Sequence, residues 1–331
     1  MKQPVLAIAD IRPASADEWD RSWIACSHAT YTQSRQWAEV WTKMSNGRVR
    51  CGPLHISFTD GTQVVLPVCQ ERHHKGLVQR NLLPAGGGYG GWLSATALSA
   101  EHAKLLCRFA LGMGNVEWAL NPFDPQLDVY VPDDASLDST QVIDLTMGID
   151  SIVRKWSKGH KAAIQQARRA GVEVRVASSL EEWRSYFGLY QDSLRRWGDK
   201  TTSNHPWVVF EHLHSSSDER VRLWLARLHD EPVAGALCFY SKEHVSYWHG
   251  AMLESSKAAR PVNLLMHAII EDASRNGYRW FDMGMSGGHD GVLAFKRGFG
   301  TTDVPCRFVN RSTKWSTIVR MASSLLPEVR A

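Results

Sequence analysis

The sequence lacks most of the patterns that point directly to a particular chemistry. Its six cysteines form no C-x-x-C pair and its fourteen histidines include no H-E-x-x-H, so their spacing predicts no metal site. It contains no P-loop, no G-x-S-x-G serine elbow and no G-x-G-x-x-G between a strand and a helix. No apolar run approaches the roughly 18 residues that cross a bilayer. These absences argue against a zinc enzyme, a serine hydrolase, a nucleotide-binding fold and stable membrane insertion.

Charge of neither sign is in large excess. With 38 Lys and Arg against 34 Asp and Glu, the net charge of +4 does not indicate nucleic acid binding unless the cations are concentrated. Residues Met1–Asp10 contain no small-residue cleavage site, so we expect no signal peptide and a cytoplasmic location. Scattered cysteines in such a protein predict reduced, mostly buried thiols. The fourteen tryptophans are more typical of a core than of a binding surface.

Length and the order of the predicted elements indicate two α/β domains. At about 150 residues per domain, the 331 residues correspond to two. Pro122–Ser139 is rich in Pro and Asp and predicts an irregular connection. We therefore place a first domain at residues 1–148, a second at 149–310, and a C-terminal segment at 311–331 whose apolar spacing predicts a helix. Caps and periodicity predict the main helices at 34–44, 98–113, 157–170, 180–197 and 261–276.

The densest cluster of charge lies in the predicted helix Ser157–Ala170. Its cations Lys158, Lys161, Arg168 and Arg169 have no interspersed acids with which to form i,i+4 pairs. Two of these cations occupy the first turn, where positive charge opposes the helix dipole unless an anion compensates it. A phosphate-bearing ligand would supply that anion. The alternative is a solvated helix face.

Two glycine-containing segments are further candidates. Phe281–Gly300 predicts a strand, a glycine-rich loop and a short helix, which is a common place for a site. Within it, Lys296 lies between Phe295 and Phe299, so a desolvated ammonium could stabilise an oxyanion during acyl transfer. The alternative is a surface lysine whose stem packs on apolar neighbours. Pro84–Trp92 is suited equally to a ligand-lining loop and to a tight turn.

These segments, in this order, resemble a known family. Thr32–Trp37 and Pro84–Gly91 come first, Ser157–Val174 and Arg260–Leu265 follow, and Phe281–Gly300 closes the series. The chain is similar over nearly its whole length to the Fem-type, GNAT-like acyltransferases. That family includes the aminoacyl-tRNA-dependent peptidyltransferases of cell-wall bridge synthesis. The basic helix and the F-K-R-G-F-G segment together are the most specific part of the resemblance.

The resemblance implies an α/β (α+β) fold of two tandem GNAT-like domains, each with a mixed central sheet flanked by helices. It implies an acceptor cleft between the domains, and it implies that the segment 311–331 packs back on the first domain. The activity it implies is transfer of an acyl or aminoacyl group from an activated ester to a small-molecule or peptide amine. No metal, cofactor or covalent enzyme intermediate is expected.

The resemblance also assigns roles to residues. Lys296 corresponds to the family lysine near the transferred carbonyl, and Asp282 would position or deprotonate the amine, or else only cap the end of its strand. The remaining expected residues form two groups, one for the acceptor and one for donor phosphate. They are Tyr89, Tyr247, Trp248, Asn263 and Ser286 for the acceptor, and Lys158, Lys161, Arg168, Arg169 and Arg260 for the phosphate.

A departure from the family pattern bears on the donor. CoA-dependent GNAT enzymes carry R/Q-x-x-G-x-G/A, whose backbone N–H groups hold a pyrophosphate at a helix N-terminus. The corresponding stretch, Lys257–Asn263, has no glycine, and Pro261 removes one N–H. We therefore favour aminoacyl-tRNA as donor and partner, because the clustered cations suit RNA phosphates. Acyl-CoA is the alternative donor, and a non-catalytic module that binds a carbohydrate or nucleotide-linked ligand is the alternative function.

Overall fold

A computed structural model describes residues 5–73, 76–198, 204–314 and 316. The chain divides into two compact units, one formed by Met1–Asp138 with Pro305–Ala331 and the other by Ser139–Val304. The division therefore falls before the boundary that the sequence predicts near residue 148. The chain also returns to the first unit at Pro305, so the second unit is inserted into the first along the sequence.

The first unit is built from helices and antiparallel or mixed sheets. Its helices are α1 (Ala16–Ala25), α2 (Arg35–Met44), α3 (Ala100–Gly112) and the short α4 (Leu127–Tyr130). Its strands begin with β1 (Ile8–Pro13), β2 (Val49–Cys51), β3 (Leu54–Phe58), β4 (Gln63–Leu66), β5 (Cys69–His73), β6 (Val78–Leu83) and β7 (Val116–Ala119). Strands β1, β3 and β4 form an antiparallel sheet of their own.

The second unit places its helices around one sheet. The helices are α5 (Ile149–Lys155), α6 (Lys158–Arg169), α7 (Leu180–Trp197), α8 (Trp207–Ser215), α9 (Pro261–Arg275) and α10 (Asp290–Arg297). The strands are β8 (Ser136–Asp144), β9 (Glu173–Val176), β10 (Val221–Leu228), β11 (Glu231–Tyr240), β12 (His244–Met252) and β13 (Trp280–Met285). The last strand, β14 (Thr302–Arg311), carries the chain back to the first unit.

The two units repeat the same strand pattern. In the first, β5 and β6 are antiparallel, β6 and β7 are parallel, and β7 and β14 are antiparallel. In the second, the corresponding relations hold for β11 with β12, β12 with β13, and β13 with β8. A helix joins each parallel pair, α3 in one unit and α9 in the other, as a parallel connection requires. The expected α/β class with mixed sheets flanked by helices is confirmed.

The helices that matter for the site begin and end where the sequence predicts. Ser157 caps α6, since its hydroxyl accepts the backbone N–H of His160. Pro261 occupies the first turn of α9, where the missing N–H costs little. Gly171 and Gly277 follow α6 and α9 with positive φ, the conformation in which glycine ends a helix without steric cost.

Each unit has its own hydrophobic core. In the first, Trp92, Trp118 and Tyr130 pack together beneath α3. In the second, α5, α6 and α9 cover one face of the sheet with a cluster that includes Trp156 and Phe281. Eight tryptophans in the described part of the chain are buried, so aromatic side chains here mainly fill cores.

One expectation about the cysteines is wrong. Cys51 and Cys69 are not reduced thiols: they lie directly opposite each other on β2 and β5 and form a disulfide. Strand pairing brings them together, and nothing in their spacing marks that pairing. The remaining four are buried free thiols, as expected: Cys26, Cys107, Cys238 and Cys306.

The stretch between the two halves is more regular than its composition predicts. Pro122–Ser139 contains the whole of α4 and the first residues of β8, which begins at Ser136. The helix predicted in the segment 311–331 lies almost entirely outside the described residues.

Gly235→Ala is expected to destabilise the protein by about 1–3 kcal/mol, the usual cost of overpacking a core. A Cβ on Gly235 would lie 2.4 Å from Cδ2 of Tyr186, which packs on β11 at this point. Gly188→Ala in α7 is the control, because a Cβ there meets nothing within 4 Å and alanine is the better helix former. Urea unfolding should show the first variant less stable than the parent and the second slightly more stable. Equal stability of Gly235→Ala and the parent would contradict this packing.

Candidate active site

The parallel strands β12 and β13 stay paired only over their first residues. The pairing covers His244, Val245 and Ser246 against Trp280, Phe281 and Asp282. Gly284 then takes a φ of +73°, and the register of β13 against β8 shifts between Asp282 and Met285. A shift of this kind bends a strand and re-aims its side chains. Beyond Asp282 the two strands no longer pair, and this place is called here the point where the strands part.

Asp282 is fixed at the point where the strands part. Its side chain is 1 % exposed and accepts hydrogen bonds from the Gly284 N–H at 2.8 Å and from the Thr140 hydroxyl. Nε2 of His244 lies 3.5 Å from its second oxygen. Burial alone would raise the pKa of Asp282, but His244, Thr140 and the Gly284 N–H together hold it below its ordinary value. A carboxylate with a lowered pKa and these partners is a weak base.

Lys296 holds the same turn from the other side. It lies on α10, is 4 % exposed, and its ammonium donates to the carbonyl oxygens of Gly284 and Met285, both at 2.8 Å. The sequence-based alternative of a surface lysine is therefore wrong. Because charge is poorly screened away from water, this ammonium produces a positive potential at the end of β13. The backbone N–H of Gly284 thus donates to Asp282, and its carbonyl oxygen accepts from Lys296.

Helix α6 carries four cations on one side, called here the basic stripe: Lys158, Lys161, Arg168 and Arg169. At about 100° per residue the four positions fall within an arc of about 100°. Lys158 and Arg169 lie farthest from the buried Ile164 and Ala167, whereas Lys161 and Arg168 border Ile164. Lys158, Arg168 and Arg169 are exposed, and no described acidic side chain forms an ion pair with them.

The basic stripe is long. Lys161 is half-buried and donates to the Arg154 carbonyl at 3.0 Å, so it is the most constrained of the four cations. From Lys158 to Arg169 the helix rises about 16 Å. No single phosphate can contact both ends of such a stripe.

The start of α9 offers few backbone donors. Arg260 precedes the helix with a φ of +55°, Pro261 has no N–H, and the Asn263 N–H bonds the Arg260 carbonyl at 3.2 Å. Nε2 of Gln166 donates to the Ala258 carbonyl at 2.8 Å, which sets this turn beside the second half of α6. The exposed Arg260 thus belongs to the same region as the end of the basic stripe.

The remaining expected residues are not all brought together. The Tyr247 carbonyl oxygen lies 3.7 Å from the Cβ position of Gly284, and the Ser286 hydroxyl donates to Oε1 of Gln141 at 2.6 Å. Trp248 is the extra residue where β12 shifts register against β11. Tyr89 lies in the first unit, 7 % exposed, with its ring against Phe123.

Several residues of the site carry no signal in the sequence. Thr140 stands 142 residues from Asp282, and His244 begins a different strand, so only the assembled sheet brings them together. His160 lies inside the basic segment, but the sequence does not predict its contact with Phe295. Among the described residues no group of three or more His, Cys, Asp or Glu could hold a metal ion, and no helix is long and apolar enough to span a membrane.

Comparison with known proteins identifies the second unit. Residues 154–297 match a family model described as "Acetyltransferase (GNAT) domain". Over these residues the second unit is similar to GNAT acetyltransferase domains. The parted strands, the Gly284 turn and the basic stripe all lie within this range. No curated protein matches the sequence.

Solved structures share the fold of nearly the whole chain. The crystal structure of FemX superposes with a TM-score of 0.72 at 12% identity, covering 94% of this chain and 99% of FemX. The C-terminal domain of a putative lysylphosphatidylglycerol synthetase from Agrobacterium fabrum gives 0.56 at 12% identity, covering 96% and 100%. L-PGS from Bacillus licheniformis gives 0.50 at 14% identity, covering 90% and 98%. The expected Fem-type fold is therefore confirmed as a fold.

Asp282→Asn is expected to lower the free energy of unfolding at pH 7 by about 2–3 kcal/mol, because Gly284 and Thr140 lose a charged hydrogen-bond acceptor. The folded-state pKa of Asp282 is depressed. Its contribution is therefore fully present above the unfolded value of about 3.9 and is lost as pH falls through the folded value. Urea unfolding of both proteins should show a smaller difference in the free energy of unfolding below pH 4 than at pH 7. A difference that does not change with pH would contradict the charged state assigned here.

Proposed function

We propose that the protein transfers an aminoacyl group from the ester of a charged tRNA to the nitrogen of an amine. The amine nitrogen attacks the ester carbonyl carbon, the C–N bond forms and the C–O ester bond breaks. The tRNA hydroxyl then leaves with the proton that the amine gives up, and the product is an amide. The GNAT domain supports the class of reaction. The length of the basic stripe is the observation that carries the choice of donor.

A polyanion suits the basic stripe better than a small phosphate ester does. Four cations spread over about 16 Å can each meet a phosphate only if the ligand carries several phosphates at that spacing. An RNA backbone meets this condition, and neutralising it releases counterions that favour binding. Arg260, beside the second half of α6, would extend the same contact.

The first turn of α9 supports the same choice. A CoA pyrophosphate bound at a helix N-terminus depends on several unsatisfied backbone N–H groups. Pro261 lacks one, and the Asn263 N–H is already bonded to Arg260. We therefore assign no pyrophosphate cradle to this helix.

Lys296 is proposed to stabilise the negative charge that develops on the carbonyl oxygen during transfer. A buried ammonium acts through its potential in a region of low dielectric, and such fixed charges usually make the largest contribution to catalysis. Asp282 is proposed to position the turn rather than to deprotonate the amine, because its carboxylate already accepts from Gly284 and Thr140.

The acceptor is proposed to bind beside the parted strands. Tyr247 borders Gly284, Ser286 is held by Gln141, and Trp248 is displaced from the regular pairing of β12. Asn263 in the first turn of α9 completes the residues of the second unit that we assign to the acceptor. Tyr89 of the first unit remains part of this proposal on the family resemblance alone.

A CoA thioester is the second candidate donor, and one observation favours it: the matching family model is described as an acetyltransferase domain. The transfer step would be the same except that a C–S bond breaks and a thiol leaves. The two donors differ in what they demand of α6, because a small ligand can touch only part of the basic stripe.

Replacing Lys158, Lys161, Arg168 and Arg169 with Ala is expected to weaken binding of charged tRNA steeply. It should also flatten the slope of log K against log salt by up to about 0.9 per lost phosphate contact. The control replaces four exposed cations of the first unit: Arg21, Arg50, Lys104 and Arg108. Fluorescence anisotropy with labelled tRNA at several salt concentrations measures both quantities. An unchanged slope in the α6 variant would show that the basic stripe is only a solvated helix face.

Lys296→Ala is expected to lower the rate of amide formation about 10²-fold, the usual cost of losing one group that stabilises an oxyanion. Binding of tRNA should stay within twofold, because the basic stripe is untouched. The assay combines radiolabelled aminoacyl-tRNA with a panel of amino sugars, diamines and amino-acid amides, with product detected by mass spectrometry. A folded Lys296→Ala protein with the parent's rate contradicts the assigned role. If no amine of the panel gives an amide that depends on the protein, the proposed function is wrong.

A further inference from the structure

One histidine fastens the first turn of α6 to the last turn of α10. Nε2 of His160 lies 3.0 Å from the carbonyl oxygen of Phe295, and Nδ1 lies 2.9 Å from Oγ of Ser157. The imidazole packs edge-on against Phe299, with 4.4 Å between ring centroids. The backbone N–H of Ser157 adds a 2.9 Å bond to the Gly298 carbonyl. The two helix ends are therefore joined by side-chain and backbone contacts together.

The partners of His160 fix its protonation pattern. A carbonyl oxygen can only accept, so Nε2 carries the proton and donates to Phe295. Nδ1 is then the acceptor: the Ser157 hydroxyl donates to it while accepting the backbone N–H of His160 at 3.2 Å. Burial lowers the pKa of His160, which favours this neutral form.

The carbonyl that His160 caps is one that α10 itself leaves without a partner. Carbonyls in the last turn of a helix have no intrahelical donor. The N–H of Phe299, which would continue the helix by bonding Phe295, bonds the Lys296 carbonyl instead at 3.0 Å. His160 therefore holds the carbonyl immediately before Lys296, in the turn from which the lysine ammonium reaches Gly284.

Gly298 and Gly300, which follow Lys296, leave room for the chain at the start of α6 to pack closely. A Cβ on Gly298 would lie 2.1 Å from the His160 ring, closer than any side chain allows. Gly300 has a φ of +72°, and a Cβ there would lie 2.8 Å from Cβ of Lys155, just before α6. The F-K-R-G-F-G segment is thus the surface on which the start of α6 docks.

We propose that His160 is a positioning residue that couples the start of α6, where the donor is proposed to bind, to the turn that holds Lys296. The functional meaning of this coupling rests on the proposed function, whereas the coupling itself is a property of the fold. Loss of the His160 hydrogen bond should loosen Lys296 and slow acyl transfer without weakening donor binding by the basic stripe.

The first unit offers a matched control. His102 stands at the third position of α3, and its Nδ1 lies 2.7 Å from Oγ of the capping Ser99, the arrangement that His160 has with Ser157. The His102 ring packs on Phe58, with 4.6 Å between centroids, and its Nε2 lies 3.1 Å from Oδ2 of Asp60. Replacing it removes the same kind of cap in the other unit.

The test that needs no activity is reductive methylation of lysines, followed by mass spectrometry of the Lys296 peptide. His160→Phe keeps an aromatic ring but loses both hydrogen bonds, so Lys296 should react about tenfold faster. His160→Gln, whose amide can donate to the same carbonyl, should restore most of the protection. His102→Phe should leave Lys296 labelling unchanged.

Two results of the labelling would overturn the proposal: unchanged labelling of Lys296 in folded His160→Phe, or equal labelling in the Phe and Gln variants. Should His160→Phe not fold, Ser157→Ala is measured in its place, because it removes the hydroxyl that orients the imidazole. We expect about threefold faster labelling in Ser157→Ala, and no change there overturns the proposal as well.

Kinetics then test what the coupling does. For charged tRNA, His160→Phe should lower kcat about tenfold and leave KM unchanged, and His160→Gln should restore kcat. General destabilisation would neither change kcat alone nor be reversed by Gln. Faster labelling of Lys296 with an unchanged kcat would overturn the positioning role. A parent protein without transfer activity would contradict the proposed function, yet the labelling result would still decide whether His160 holds Lys296.

Discussion

The candidate site depends on Gly284 and on two opposite charges, Asp282 and Lys296, that hydrogen-bond to its backbone. Asp282 accepts its N–H and Lys296 donates to its carbonyl, so neither charge is buried without hydrogen bonds. Burying ions is costly unless such partners are present, and here the partners are backbone groups of the strand that must bend. The positive φ of Gly284 lets that bend occur, just beyond the last residues that pair β13 with β12.

The same network continues away from Gly284 in two directions. Through Asp282 it reaches Thr140 on β8 and His244 on β12, so three neighbouring strands share one buried carboxylate. Through Lys296 it reaches α10, and through His160 the start of α6. A charge or ligand at the basic stripe thus acts on a helix that is bonded to the element carrying Lys296. This connection gives the GNAT-like second unit a physical link between its cationic surface and the point where its strands part.

Local signals in the sequence were sufficient for the elements but not for their partners. The cap at Ser157, the glycine after α6 and Pro261 at the start of α9 each act within a few residues, so these helices could be predicted closely. The burial of Lys296 could be anticipated from its apolar neighbours. The carbonyls that bind it could not, because they follow from how α10 docks. Likewise, the Cys51–Cys69 disulfide depends on strand pairing that periodicity does not encode.

The central claim, that a GNAT domain with a long basic stripe takes its acyl group from a polyanionic ester, is tested most directly by a competition between donors. The protein would receive [¹⁴C]aminoacyl-tRNA and [³H]acetyl-CoA in one reaction with a panel of amines. The ratio of the two labels in the amide product would be measured at low and at high salt. The account predicts that ¹⁴C enters the product and that high salt suppresses it. A product that carries only ³H, at a rate that salt does not change, would contradict it.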